Sequence, residues 1–107
     1  MNTLASPPLP GTRNVSAPKV RRTFRVNVEL GLHARPCALL IKTIRPYCSE
    51  VVVEANGEEA SGHSIMSLMA LAAGPGTEVT FTAIGDDAFE AMAAIQHLFE
   101  TRFEAAY

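Results

Sequence analysis

The sequence predicts an α+β fold, an open-faced two-layer sandwich in which three helices cover one face of a four-stranded, mostly antiparallel sheet. Stretches that alternate polar and apolar residues, typical of half-buried strands, are interleaved with stretches of helical periodicity in the order βαββαβα. An Asn-Gly pair joins two of these strands as a hairpin. The 107-residue length allows one domain with a small core and excludes a two-domain enzyme with a deep cleft.

The first predicted strand covers residues 23–30, and its inward-facing apolar residues are Phe24, Val26, Val28 and Leu30. A helix follows from His33 to about Pro46, because apolar residues recur at helical spacing and proline disfavours continuation. The β-branched run at 50–55 predicts the second strand. Asn56-Gly57 then turns the chain into a short third strand at 58–61.

The second half of the domain repeats this alternation of helix and strand. Ser64 is a natural N-cap for a second, short helix that we expect to run to Ala73 and to be closed by Gly74. Residues 77–84 alternate as the fourth strand, and Asp86-Asp87 supplies the negative charge that a helix N-terminus favours. The apolar stripe predicted for this third helix consists of Phe89, Met92, Ile95, Phe99 and Phe103.

Charge is divided unevenly between the N-terminal segment and the body. Residues 1–22 carry four bases and no acid, whereas the rest of the chain carries five bases and all 11 acids, so a +4 segment precedes a −6 body. Residues 1–21 are Pro-rich without sustained periodicity, which predicts a flexible basic extension before a domain at 22–107. Its dilute charge and lack of aromatic residues argue against nucleic-acid binding.

The sequence contains no candidate membrane span and no secretion signal. Its longest weakly polar stretch, 65–75, is far shorter than the roughly 20 apolar residues that a span requires, and the N-terminus lacks an apolar core region. In a chain without an export signal, Cys37 and Cys48 are expected to be reduced thiols. We therefore expect a cytoplasmic protein without membrane insertion.

The segment Gly31-Leu32-His33-Ala34-Arg35-Pro36 marks the passage from the first strand into the first helix. Amides at a helix N-terminus have no intrahelical acceptor and attract anions. The permanently charged guanidinium of Arg35 can reach the same anion. Histidine is in part neutral near pH 7 and is then a competent nucleophile. This combination suits a site that receives, holds and returns a phosphoryl group.

The same segment resembles the histidine-containing phosphocarrier protein HPr of the bacterial phosphoenolpyruvate-dependent phosphotransferase system. The resemblance extends over residues 23–107, and its specificity comes from GLHARP being followed about 30 residues later by Ser64-Ile65-Met66 at the start of a second helix. It implies that His33 accepts a phosphoryl group at Nδ1 from enzyme I, which is charged by phosphoenolpyruvate. His33 would then pass the group to enzyme IIA components.

The resemblance also assigns roles around His33. Arg35 and the backbone amides of Ala34 and Arg35 would stabilise the phosphate, and Ser64 would be the regulatory target of HPr kinase/phosphorylase. The implied partner surface consists of Ile65, Met66 and Met69. The protein would be a monomeric carrier without cofactor or metal, not an enzyme. Sugar uptake, a regulatory phosphorelay and contact with a transcription regulator all stay open.

Three other interpretations are compatible with parts of the sequence. A regulatory binding module could be switched at Ser64 with His33 incidental. A small phosphatase would use His33 and Arg35, but no second acid or base is identifiable near them. His33 and Cys37 have the i, i+4 spacing of a metal pair, yet no close Cys/His group completes a site. Cys37, His63 and Ser67 depart from common family residues, and the basic extension lies outside the resemblance.

Overall fold

The computed structural model describes residues 17–104. Its elements, in chain order, are β1 (Lys19–Arg25), α1 (Ala34–Ile44), β2 (Glu50–Ala55), β3 (Glu58–Ser61), α2 (Ile65–Ala70), β4 (Glu78–Ile84) and α3 (Ala88–Glu100). The strands form one antiparallel sheet in the spatial order β1-β4-β2-β3. The predicted βαββαβα order and the open-faced sandwich are confirmed. None of the helices in this part of the chain is long and apolar enough to cross a membrane.

The core lies between the sheet and the helices. Alternate residues of the strands point into it, as Val51 and Val53 of β2 show by being at most 1% exposed. Phe24 of β1 stacks on Phe99 of α3 with ring centroids 4.7 Å apart, and both rings make edge contacts with Phe81 of β4. This aromatic cluster fixes α3 against β1 and β4.

β1 lies earlier in the chain than the predicted strand at 23–30. Arg25 pairs with Glu78, the first residue of β4, and β1 ends there, although Val26 still exchanges backbone hydrogen bonds with Thr77 and Gly76 just before β4. Leu30 lies five residues beyond the end of β1, and its side chain is 75% exposed instead of facing the core. At the other end, β1 begins at Lys19 and takes up three residues that were predicted to belong to the extension. Residues 1–16 of that extension lie outside the described range.

The predicted Asn-Gly hairpin is confirmed by positive φ angles of 53° and 79° at Asn56 and Gly57. The same asparagine explains why α2 is shorter than predicted. Its Nδ2 donates to the carbonyl of Leu71 at 2.9 Å, and Ala72 adopts a φ of 53°, so the helix ends at Ala70, four residues before Gly74. α2 therefore has six residues, and a contact from a distant turn sets its end.

The predicted stripe of α3 is wrong at Phe89, which is 60% exposed. Ala88 and Ala91 are fully buried instead, and they share the inner face with Met92 and Ile95. Ala88 and Ala91 lie on the face of the first turn that packs inward. Phe89, which follows Ala88, lies on another face of the helix, and its ring points into solvent. The remaining stripe residues, Met92, Ile95, Phe99 and Phe103, are buried as expected.

Candidate functional site

The loop before α1 is held rigidly by its glycine and leucine. Gly31 has a φ of +73°, and a Cβ at this position would lie 2.6 Å from the carbonyl oxygen of Ala73 and 2.8 Å from Cα of Gly74. No L side chain fits that space or that backbone angle without strain. Leu32 donates its amide to the Ala73 carbonyl at 2.8 Å and buries its side chain. The next residue, His33, is thereby fixed at the surface.

His33 is the N-cap of α1, and its imidazole is exposed and makes no capping hydrogen bond. The first backbone bond of the helix runs from the Cys37 amide to the His33 carbonyl at 3.1 Å, so the amides of Ala34 and Arg35 precede the helical ladder. The first turn contains no acid, and Arg35 is exposed within it. The α1 N-terminus is thus a positive end of a helix dipole beside a solvent-facing imidazole.

Cys37 faces away from this surface. Its side chain is fully buried, and its thiol donates to the carbonyl of Leu32 at 3.2 Å. Burial raises the pKa of the Cys37 thiol to about 11. A thiol that stays protonated and buried is a poor nucleophile and a poor metal ligand. Cys37 therefore ties the first turn of α1 to the loop that presents His33.

A small hollow of about 250 Å³ lies directly beside His33. It is lined by Leu30, Leu32, His33, Met69, Ala72, Ala73 and Gly74. Among these residues only His33 carries an ionisable side chain, and the rest of the surface is apolar or backbone. The sequence did not indicate Leu30 as part of the site, because strand alternation placed its side chain in the core.

Ser64 is the N-cap of α2, as predicted. Its Oγ accepts a hydrogen bond from the Ser67 amide at 3.2 Å and lies 3.0 Å from Ser67 Oγ. The residues on either side of it, His63 and Ile65, line a shallow hollow against α1 together with Ala38. The start of α2 therefore lies beside the middle of α1, the helix whose N-cap is His33.

The three predicted partner-surface residues differ in exposure. Met66 is 74% exposed and Met69 39%, whereas Ile65 is half-buried and packs against the core. Leu68 fills the inner face of α2, whereas Ala72, just beyond the helix, is exposed. The structure brings Met69 and His33 to one hollow, so α2 and the α1 N-terminus share a surface.

Residues 17–104 contain no group of three or more His, Cys, Asp or Glu side chains placed to hold a metal ion.

A larger hollow of about 580 Å³ lies between β1 and α3, away from His33. Within it, the Arg22 guanidinium donates a hydrogen bond to Gln96 Oε1 at 2.6 Å. Both cysteines are free thiols, Cys37 buried and Cys48 exposed. The only exposed histidine at a helix N-cap in this range is His33.

The chain is similar in sequence to proteins of one known family. Residues 20–101 match the family described as the PTS HPr component phosphorylation site. The phosphocarrier protein HPr of Treponema pallidum (strain Nichols) is 36% identical over 85 residues, covering 79% of this chain and 97% of that protein. The HPr-like protein Crh of Bacillus subtilis (strain 168) is 41% identical over 73 residues, covering 68% of this chain and 86% of the relative.

Solved structures give the same result. The crystal structure of HPr-C-His from Thermoanaerobacter tengcongensis superposes with a TM-score of 0.76 at 34% identity, covering 82% of this chain and 99% of that chain. Crystalline Crh from Bacillus subtilis, a swapped dimer, gives a TM-score of 0.56 at 39% identity, covering 73% of this chain and 94% of that chain. With its fold and these relatives, the chain belongs to the HPr family of phosphocarrier proteins of the phosphotransferase system.

Proposed function

We propose that this protein carries a phosphoryl group on Nδ1 of His33, receives it from enzyme I charged by phosphoenolpyruvate, and passes it to enzyme IIA-type acceptors. The observation that carries the proposal is the α1 N-terminus, where an exposed imidazole stands at the positive end of a helix whose first turn contains Arg35 and no acid. The same arrangement serves sugar uptake and a regulatory relay.

The chemistry requires a free lone pair on His33. In the neutral imidazole, Nδ1 attacks the phosphorus atom while the proton stays on Nε2, and the bond between phosphorus and the donor breaks with its electron pair leaving on the donor. The phosphoryl oxygens then face the amides of Ala34 and Arg35 and the Arg35 guanidinium, which stabilise their negative charge. Return transfer is the reverse step, so the protein is regenerated unchanged.

The surroundings of His33 favour a carrier over a phosphatase. Hydrolysis needs a group that activates water, and the residues lining the hollow beside His33 include no other acid or base. The fully buried Cys37 is protonated at neutral pH and takes no part in the chemistry. A phosphoryl group on His33 would therefore wait for a protein acceptor, as a carrier requires.

Ser64 is the proposed regulatory phosphorylation site, and HPr kinase/phosphorylase is the proposed enzyme. The Ser64 hydroxyl caps the N-terminus of α2, and the exposed methionines Met66 and Met69 follow within the same helix. A phosphate there would add about −1.5 to −2 charge at pH 7 beside the proposed partner surface of Ile65, Met66 and Met69. Acidic partners would be repelled, whereas a transcription regulator with an Arg cluster would be attracted.

The second candidate function is a regulatory binding module that is switched at Ser64 and does not transfer phosphate through His33. The N-cap position of Ser64 beside exposed methionines favours it. It differs from the first proposal in one measurable property, the formation of phosphohistidine. In either case we propose a cytoplasmic monomer with no membrane insertion.

The decisive experiment incubates the protein with enzyme I and labelled phosphoenolpyruvate. We expect one equivalent of acid-labile, base-stable label on the wild type and on His97→Ala, a matched control because His97 is exposed on α3. His33→Ala should take no label while keeping its thermal stability. No label on the wild type would contradict the carrier, and release of inorganic phosphate without an acceptor would favour a phosphatase.

A further inference from the structure

The hollow between β1 and α3 is separate from the surface around His33. Its volume of about 580 Å³ falls within the range of roughly 300–1,000 Å³ in which small ligands bind. It is lined by residues of β1, by Asn27 and by the second half of α3. None of the residues assigned to phosphoryl transfer or to regulation lines it, so the proposed function leaves this hollow without a role.

β1 forms one wall of the hollow and is an edge strand, because only β4 pairs with it within residues 17–104. Just beyond the end of β1, the Val26 amide donates to the Thr77 carbonyl at 2.9 Å, in the register of the paired strands. Residues of an antiparallel strand bond alternately toward the partner strand and away from it. The backbone N–H and C=O groups of Thr23 and Arg25 therefore point out of the open edge of the sheet.

Two guanidinium groups lie at the same hollow. The side chains of Arg22 and Arg25 leave β1 on opposite faces, and both line the hollow at the open edge. Arg22 donates to Gln96 Oε1 at 2.6 Å, and Gln96 Nε2 in turn donates to the Glu100 carboxylate at 3.0 Å. Because the glutamine amide is neutral, it holds the Arg22 guanidinium in place without neutralising its charge.

The charge of Arg25 is only weakly paired. Its Nη1 donates to the Gly76 carbonyl at 3.2 Å, and its Nη2 lies 3.4 Å from the Glu78 carboxylate in an ion pair whose side chains are 68% and 66% exposed. Exposed ion pairs of this kind contribute little free energy. The lining residues carry two arginines and one acid, Glu100, so their net charge is 2 − 1 = +1.

The hollow also has an aromatic wall. The rings of Phe24 and Phe99 are stacked with centroids 4.7 Å apart, and Phe24 is half-buried and lines the hollow. Asn27 Nδ2 donates to the Phe99 carbonyl at 2.7 Å, which joins the chain after β1 to the end of α3. A rigid apolar surface thus lies beside the two guanidinium groups, a combination that suits an anion with an apolar body.

We propose that this hollow binds a small organic carboxylate, whose carboxylate group pairs with the guanidinium groups of Arg22 and Arg25. Its apolar body lies against the Phe24 ring. The aromatic wall selects an organic anion over a bare inorganic ion, and the lining charge of +1 matches one carboxylate rather than a dianionic phosphate. This binding activity goes beyond phosphoryl transfer and does not rest on it.

The test is an NMR titration of the ¹⁵N-labelled full-length protein with benzoate, followed by the side-chain amide signals of Asn27 and Gln96. Benzamide, which has the same shape and no charge, is the matched control ligand. We expect saturable shifts with a Kd of about 1 mM for benzoate, as suits a ligand with few atoms in an open hollow. Benzamide should bind at least about 10-fold more weakly, because it forms no charge-assisted bond to arginine.

Arg22→Gln and Arg25→Gln should each raise the Kd for benzoate about 10-fold or more. The control variant is Arg21→Gln, since Arg21 lies next to Arg22, bonds to Glu54 and does not line the hollow. It should bind benzoate within twofold of wild type, and Arg22→Gln should still be phosphorylated by enzyme I at the wild-type rate.

Three results would overturn the carboxylate site. They are benzoate shifts that do not saturate, equal binding of benzoate and benzamide, and equal weakening by Arg21→Gln and Arg22→Gln. Binding of a short polyglutamate peptide in place of benzoate would likewise replace the small ligand by an extended acidic segment on the β1 edge. Each of these results would leave the phosphocarrier proposal unaffected, because that proposal depends on labelling of His33.

Discussion

The N-termini of α1 and α3 are built in the same way and used differently. Each N-cap residue, His33 or Asp87, is preceded two positions earlier by a glycine with no room for a Cβ. A Cβ at Gly31 would meet the Ala73 carbonyl at 2.6 Å, and one at Gly85 would lie 2.8 Å from Cα of Ser49. Both helices therefore begin where the backbone of another segment passes very close.

The difference lies in the residue placed at the N-cap. The Asp87 carboxylate accepts hydrogen bonds from the Cys48 amide at 2.7 Å, the Ser49 amide at 2.9 Å and the Ser49 hydroxyl. These bonds hold the pKa of Asp87 below its usual value, the Ser49 hydroxyl contributing most. At α1, His33 makes no capping bond and the first turn contains no acid.

The comparison teaches that a helix N-terminus is open to an external anion only when the protein supplies no anion of its own. At α3 an internal carboxylate joins the helix to the α1–β2 connection, so that end has a structural role. At α1 no side-chain carboxylate occupies the first turn, and we propose that a phosphoryl group on His33 is stabilised there. The predictions below change one of these ends at a time.

The largest effect should follow from giving α1 a negative charge in its first turn. Arg35→Glu replaces the charge that we propose stabilises the phosphoryl oxygens by one that would repel them, so we expect kcat/KM for phosphorylation by enzyme I to fall at least about 100-fold. Lys42→Glu makes the same charge change in the last turn of α1 and is the control, with an expected loss under about 10-fold. Equal losses in the two variants would mean that overall charge, not the site, governs transfer.

Gly31→Ala should disrupt the close packing of the loop before α1 against Ala73 and Gly74. The strained φ of +73° and the clash with Ala73 predict a loss of about 2–3 kcal/mol in the free energy of unfolding, measured by urea denaturation. Gly57→Ala has a similar φ of +79° but no atom within 4 Å of the added Cβ, and it should lose only about 1 kcal/mol. If the two variants are equally destabilised, the close approach to Ala73 contributes nothing.

The N-terminus of α2, at Ser64, can be given a negative charge, which the first turn of α1 lacks. Ser64→Asp keeps an N-cap side chain, so the fold should persist, but a carboxylate beside the proposed partner surface should lower kcat/KM with enzyme I about 5- to 50-fold. Ser64→Asn retains the cap without the charge and should transfer at nearly the wild-type rate. Unchanged kinetics in Ser64→Asp would argue against regulation by charge at this position.

The smallest effect concerns the α3 end. A carboxyl group whose pKa is lowered by folding stabilises the protein above its unfolded pKa, and this contribution disappears as pH falls through the folded value. The stability advantage of wild type over Asp87→Asn should therefore be present at pH 7 and shrink below pH 3.8, the ordinary value for Asp87. Thermal melts between pH 7 and pH 2.5 measure it, with the exposed neighbour Asp86→Asn as control; an advantage that does not vary with pH would contradict the proposed carboxylate clamp.

Some features of the site were predictable because they depend on neighbours in sequence. Gly31, His33, Arg35 and Pro36 fall at the start of a helical period, and Ser64 has the spacing of an N-cap. Local backbone chemistry fixed the Asn56-Gly57 turn in the same way. The family resemblance added the assignment of roles, since it depends on the order and spacing of these motifs.

The sequence by itself determined the order of elements, the open-faced sandwich and the position of His33 at a helix start, because hydrophobic periodicity and capping act over a few residues. Only the tertiary structure decided that β1 ends at Arg25, where β4 begins, and that Asn56 caps the end of α2. Those contacts join segments distant in the chain. Leu30 lies in solvent beside His33, which no local pattern could show.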